Sequence, residues 1–305
     1  MKPKLVIVLG PTAVGKSELA LALALRTAGE IINADSQQVY RSMDIGTGKP
    51  SQADRQRVPH HLIDVVHPDE EFNAALFRRL ATEAIEQIHR RGKTAIACGG
   101  TGLYLKALTR GLFTGPGQSR EIRRILEKRI KENGLEALYR ELVAIDAGAS
   151  ATIHPHDRQR IVRALEVYQS TGKPLSQWHT EHAFGEDPFD LLKIGLARDR
   201  AELYEQINRR CEQMVRNGLL EEVRGLVAQG FGLELKPLCS VGYRQMGAVI
   251  QGTMNLADAS MAMRQETRNL AKRQLTWFRR DIGIRWFHPV EEKDKIFDAV
   301  SEFLS

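Results

Sequence analysis

The chain has 305 residues, 42% of them hydrophobic and 27% charged, which is enough apolar material for one large or two modest globular domains. Its net charge of +6 admits polyanionic partners without requiring one. Cys98, Cys211 and Cys239 are far apart and lack C-x-x-C spacing, which argues against a disulfide framework or a zinc site and for reduced thiols in the cytoplasm; no apolar run is long enough to cross a bilayer.

The first apolar run, Leu5 to Leu9, reads as a buried strand and leads into Gly10-Pro11-Thr12-Ala13-Val14-Gly15-Lys16-Ser17. A strand, then G-x-x-x-x-G-K-S, then an apolar helix is the context that makes this pattern a phosphate site. Gly10 and Gly15 allow the backbone N–H groups to turn inward, the helix adds its positive end, and Lys16 brings a mobile charge. Ser17 is placed to ligate Mg²⁺ shared with phosphate oxygens.

A helix follows over about Lys16 to Arg26, then a second buried strand over Glu30 to Ala34. Asp35-Ser36-Gln37-Gln38 leaves that strand at its carboxyl edge, where open α/β sheets place ligands; a simple turn or helix cap is an equally good reading of Asp-Ser. A polar turn at Gly46 to Pro50 precedes an expected third strand, His61 to Val65. Phe72 to Arg91 carries apolar residues at helical spacing, and Thr94 to Cys98 reads as a fourth strand. It breaks at Gly99-Gly100-Thr101-Gly102, where Thr101 is positioned to face the same phosphates. Alternating strands and helices predict a parallel sheet, an α/β fold of the P-loop NTPase-like kind with helices on both faces.

From Leu112 the pattern becomes helical and basic, starting with Ser119 to Lys131, and strand character returns only at Leu191 to Leu196. Residues 1–111 and 189–305 are therefore expected to form one core domain, and residues 112–188 an all-helical insertion. A helix over Arg200 to Val215, a short helix after Ser240, a long basic helix over about Leu256 to Asp281, a last strand at Ile284 to Phe287 and a closing helix complete the chain. Arg264, Arg268, Lys272, Arg273 and Arg280 exceed the acids near them on the long helix, which suits a phosphate backbone.

Seven stretches together resemble the tRNA dimethylallyltransferase family: Gly10 to Ser17, D-S-x-Q-V-Y-R from Asp35, D-I-G-T-x-K-P from Asp44, G-G-T-G-L-Y from Gly99, H-P-H-D-x-x-R-I-x-R-A-L-E-V from His154, V-G-Y-R-Q from Val241, and A-K-R-Q-x-T-W-F-R from Ala271. Gly48 and His156 depart from the usual residues of that pattern, and the zinc-finger extension of eukaryotic members is not found, which implies a bacterial type.

The resemblance implies transfer of a dimethylallyl group from dimethylallyl diphosphate to N6 of the adenosine 3′ of the tRNA anticodon, position 37. The phosphate loop, with Lys16, Thr101 and Arg210, would hold the diphosphate, Mg²⁺ would assist, and Asp35 would orient the amine. The tRNA contacts implied are Asp35, Ser36, Gln37, Gln38, Thr101, Arg123, Gln159, Arg160, Ile161, Val162, Arg163, Ser240, Val241, Gly242, Tyr243, Arg244, Gln245, Lys272, Arg273 and Arg280, in a chain expected to act as a monomer. Three other readings compete: an adenylate isopentenyltransferase acting on free AMP, ADP or ATP, a small-molecule P-loop kinase, and a non-catalytic nucleic-acid-binding ATPase.

Overall fold

The structure, a computed structural model, describes residues 2–112, 115–182 and 185–305. In chain order its elements are β1 (Lys4–Leu9), α1 (Lys16–Arg26), β2 (Glu30–Asn33), α2 (Gln52–Arg57), β3 (His60–His61), α3 (Ala74–Arg90), β4 (Ala95–Gly99) and α4 (Gly102–Arg110). Four helices follow, α5 (Arg120–Ile145), α6 (Ala147–Ser150), α7 (Arg158–Thr171) and α8 (Leu175–His182). The chain ends with β5 (Asp190–Leu196), α9 (Arg200–Arg216), α10 (Leu219–Ala228), α11 (Tyr243–Ile250), α12 (Leu256–Phe278), β6 (Ile284–Phe287) and α13 (Lys293–Leu304). It divides into two compact units, one running up to Thr109 and resuming at Asp187, the other Arg110–Glu186.

The first unit is the expected α/β fold. Its six strands are all parallel in the order β3-β2-β4-β1-β5-β6. Leu5 to Leu9 and Ala95 to Gly99 are buried throughout, so the central strands are covered on both faces, as a parallel sheet with crossover helices requires. Ladder pairs Leu9 with Gly99 and Asn33 with Cys98 bring three strands to an end at nearly the same level.

The third strand is shorter than its apolar pattern suggests. Leu62 and Asp64 take left-handed backbone, with φ of 61° and 56°, and the ladder stops after His61. The turn aims the Asp64 carboxylate at Lys49 Nζ (2.6 Å) and Arg55 Nη1 (2.7 Å). α5 also differs, running on to Ile145 with a break at Gly134, where φ is 78° and ψ is 163°.

Two buried carboxylates tie segments together. In the second unit, Glu166 on α7 is fully buried, and accepts from Ser119 N, Arg123 Nε and Arg163 Nη1 at 2.8–2.9 Å. Burial pushes its carboxyl pKa up, and these donors more than offset that, leaving it below the usual range. In the first unit, Glu30 at the start of β2 accepts from His61 Nε2 and Arg91 Nη2, both at 2.7 Å, and lies 3.2 Å from Lys93 Nζ. It thereby joins β2 to β3 and to the α3–β4 turn. Burial raises its pKa, but Arg91, His61 and Lys93 win and hold it at about 2, against 4.5 unperturbed.

Because the folded pKa is depressed, the stability that Glu30 contributes is present above pH 4.5 and is lost as pH falls toward 2. Glu30→Gln should therefore lower urea-unfolding stability at pH 7 by about 3 kcal/mol, the low end for breaking a buried pair, since Arg91 and Lys93 remain half in water. The deficit should shrink as pH drops through that window. A deficit that stays constant with pH would contradict this account.

Candidate active site

The loop between β1 and α1 has the backbone a phosphate cradle requires. Gly10 has φ of 147°, and a Cβ there would lie 2.7 Å from the Leu196 carbonyl oxygen; Gly15, with φ of 107°, caps α1. Ala13 between them is also left-handed, at φ 63°. Such turns direct successive N–H groups to one side, ahead of the positive end of α1. Lys16 folds back over the loop, its Nζ donating to Pro11 O at 2.6 Å. Burial pulls its pKa down from 10.5 to about 8, and the charge of Arg210 adds to the drop while Asp35 and Glu18 oppose it. The Ser17 hydroxyl is exposed in the first turn of α1.

Three backbone turns meet beyond the sheet's carboxyl edge. A Cβ on Gly99 would lie 2.1 Å from the carbonyl oxygen of Ala34, so only glycine lets the turn after β4 rest on the turn after β2. Across this contact Ser36 N donates to Thr101 Oγ1 at 3.0 Å, which leaves the Thr101 hydroxyl proton free to donate elsewhere. Asp35 Oδ1 accepts from Gln37 N at 2.8 Å, and among the described residues Oδ2 has no hydrogen-bond or ion-pair partner. The side-chain oxygen of Gln37 is buried without a donor.

Gln274 of α12 stands in the stretch from Ala271 but not among the expected site residues, and it clips two of these turns together. Its Oε1 accepts from Thr12 N in the phosphate loop at 2.8 Å, and its Nε2 donates to Gly100 O at 3.0 Å. Thr12, Asp35, Ser36, Gln37, Gly100, Thr101 and Gln274 border one cleft of about 730 Å³, whose lining also includes Thr47, Arg210, Ser240, Val241, Arg244 and Arg273. Arg210 Nη2 donates to Thr47 O at 3.2 Å.

Several sequence candidates have other work. Ile161 and Val162 belong to the core of the second unit. Arg123 and Arg163 are occupied by Glu166, and Arg163 also donates to Pro116 O at 2.8 Å. Tyr243 is 1% exposed, with its hydroxyl donating to Glu222, and Gln245 is 4% exposed, with its Oε1 accepting from Gly242 N in a capping box. The polar atoms named here already have partners inside the fold. Gln38 is similarly committed, donating to Thr47 O and Gly48 O.

The basic stripe on α12 also divides. Arg264 and Arg268 turn toward α9, the first to Glu212 and the second to Asn208 Oδ1 and the ring of Tyr204. Lys272, Arg273 and Arg280 are exposed with no partner among the described residues. Arg244 is exposed and paired with Glu266. In the second unit Gln159 is exposed, and so is Arg160, which lies 3.3 Å from Asp157.

A glycine-rich phosphate loop between the first strand and first helix of a parallel sheet, with Thr12 bordering a cleft that Asp35 also lines, defines a P-loop α/β enzyme. More narrowly, the chain belongs to the IPP transferase family, whose sequence pattern matches residues 38–281. It is 51% identical to a tRNA dimethylallyltransferase of Geobacter metallireducens over 302 residues, 99% of this chain and 98% of that protein. A solved full-length tRNA isopentenylpyrophosphate transferase of Bacillus halodurans matches with a TM-score of 0.74 and 38% identity, covering 99% of this chain and 97% of the other. A eukaryotic dimethylallyltransferase acting on tRNA matches with a TM-score of 0.77 and 32% identity, covering 90% and 70%.

If Lys16 serves an anionic ligand, its depressed pKa makes the affinity pH-dependent. Only the ammonium attracts phosphate oxygens, so inorganic diphosphate should bind progressively more weakly as pH rises through about 8, approaching roughly tenfold per pH unit. Lys16→Arg keeps its charge across that range and cancels the ligand's own titration. Calorimetric titrations that gave parallel pH profiles for the two proteins would remove Lys16 from the binding site.

Proposed function

We propose that this chain is a tRNA dimethylallyltransferase, moving the dimethylallyl group of dimethylallyl diphosphate to N6 of the adenosine 3′ of the anticodon, position 37, and releasing diphosphate. The reading is supported by the names of its near-full-length relatives. The observation that carries it in the site is Asp35, whose Oδ2 has no partner among the described residues and which borders the same cleft as Thr12 of the phosphate loop, Thr101 and Arg210.

In this reading the phosphate loop grips a leaving group. The allylic C–O bond breaks and its electron pair departs on the diphosphate, where the loop N–H groups, Lys16, Arg210 and the free Thr101 proton take up the developing charge. The N6 lone pair closes on the allylic carbon, and the displaced N6 proton passes to Asp35. An adenine amine is a weak nucleophile, so holding it in line is a large part of the task. The buried, donorless oxygen of Gln37 suits an N–H of the incoming base edge. The base would have to leave the anticodon stack to reach the cleft.

Magnesium fits the donor set. Among the described residues no group of three or more His, Cys, Asp or Glu could hold a metal, but Mg²⁺ bound to a diphosphate needs few protein ligands, and the exposed Ser17 hydroxyl offers one. When bound, the ion would neutralise diphosphate charge.

Two measurements test this reading. Asp35→Ala should reduce the single-turnover rate about 10²- to 10⁴-fold and leave tRNA affinity little changed. Lost tRNA binding with intact chemistry would reverse the assignment. For the RNA, Lys272→Ala and Arg280→Ala should each weaken tRNA binding and reduce the slope of log K against log salt by roughly one unit, with donor affinity unaffected. In the second unit, Arg160→Ala should do the same. Unaltered slopes at all three positions would put the RNA elsewhere and favour a free nucleotide as acceptor.

A further inference from the structure

Glu222 on α10 lies outside the cleft wall, yet its carboxylate collects four donors. Oε2 accepts from Asp44 N at 2.9 Å and Ile45 N at 2.7 Å; Oε1 accepts from Gly46 N at 3.1 Å and from the Tyr243 hydroxyl at 2.6 Å. Three consecutive backbone N–H groups converging on one carboxylate form an anion nest filled by the protein itself. The loop is pressed onto it, since a Cβ on Gly46 would sit 2.4 Å from the Tyr243 ring and 2.8 Å from Leu219 Cδ1. Burial, with the Glu222 charge beside it, raises the Tyr243 hydroxyl far above its usual range, so it remains a donor at every working pH.

The residue immediately after this nest is Thr47. Its carbonyl accepts from Arg210 Nη2 and from Gln38 Nε2, both at 3.2 Å. At Gly48 a Cβ would lie 2.3 Å from Arg210 Nη2, so the guanidinium lies directly against this backbone. An arginine on a helix has a long, flexible stem, and among the described residues the contact with Thr47 O is what ties this one down. We propose that Glu222 is a positioning residue for the transfer: by clamping the backbone of residues 44–46 it fixes the Thr47 carbonyl, and that carbonyl aims the Arg210 guanidinium at the diphosphate. The inference rests on the reading above, in which Arg210 meets the leaving group.

A double-mutant cycle on inorganic diphosphate affinity, read by calorimetry, separates the two claims. Arg210→Ala alone tests the reading; an unchanged diphosphate affinity would overturn it and the inference with it. Glu222→Gln keeps the size of the side chain but replaces one acceptor oxygen by an NH₂ that cannot accept the loop amides. It should weaken diphosphate about tenfold in the wild-type background and have no further effect when Arg210 is already alanine. tRNA affinity should not move. Tyr243→Phe, which removes one of the four donors and keeps the ring under Gly46, should shift diphosphate affinity in the same direction by less, and it stands in if Glu222→Gln does not fold. Losses that multiply in the double variant, or a lowered melting temperature with diphosphate affinity unchanged, would reduce Glu222 to a structural brace and overturn the proposal.

Discussion

Three turns share one small volume beyond the carboxyl ends of β1, β2 and β4, and the site depends on their backbones touching. The contact is possible because a side chain is missing where it would collide: a Cβ on Gly99 would strike the Ala34 carbonyl, and on the other side of β1 one on Gly10 would strike the carbonyl of Leu196 at the end of β5. In-register pairing of Leu9 with Gly99 and Asn33 with Cys98 delivers the turns to the same height. With the backbones that close, one threonine hydroxyl reaches across to the amide of Ser36, and one glutamine reaches two loops at once. The geometry around Asp35 is therefore set by sheet register and by hydrogen bonds short enough to tolerate little drift, which is the preorganisation that a transfer between two bound substrates needs.

Acids that gather several donors do much of the remaining assembly. Glu30, Glu166 and Glu222 each gather three or more donors from segments distant in sequence, and each fixes backbone that regular hydrogen bonding leaves loose: the α3–β4 turn, the chain entering α5, and the loop at residues 44–46. An isolated carboxylate would not be tolerated in such places, whereas one met by arginine forks or several N–H groups is. A consequence is that the basic residues fall into two populations. Arg91, Arg123, Arg163 and Arg264 are paired to acids, while Lys272, Arg273 and Arg280 are exposed with no partner among the described residues, so the net positive charge understates how unevenly positive the end of α12 and the turn after it are.

The phosphate loop was legible because its signal is contextual: strand, glycine spacing and helix must coincide, and they do from Leu5 to Arg26. The sheet was equally readable from its apolar runs, except where Leu62 and Asp64 adopt left-handed backbone with no glycine to announce it. α10 also went unread, although Leu219, Leu220, Val223 and Leu226 carry a helical stripe. The roles of the arginines were not legible. A guanidinium that will fork onto a buried glutamate and one that will face a phosphate look the same in sequence, and the difference arises only when α5 and α7 bring Arg123 beside Glu166. Gln274 sits two residues from Lys272, about 200° further round the helix, and a reading that follows the basic face of α12 passes it by.

In the proposed reading, that angular separation would let α12 serve two functions at once. On one side Gln274 holds the phosphate loop to the Gly100 turn, and Trp277 lies against Gly102, where a Cβ would come within 2.2 Å of its indole nitrogen. On the other side Lys272 faces solvent, as does Arg280 in the turn just past the helix, where the proposed RNA backbone runs. An α-helix of 23 residues is stiff over this length, so the distance between an RNA phosphate seated on the outer face and a diphosphate seated on the inner loops is set by one rigid element. The donor loops bring no comparable reach of their own; Thr12 and Gly100 are joined to this helix by single hydrogen bonds to one side chain. Registration of acceptor against donor would then depend on the Gln274 amide as much as on any charged group in the cleft, because it is where the element that faces the RNA is joined to the loops that face the leaving group.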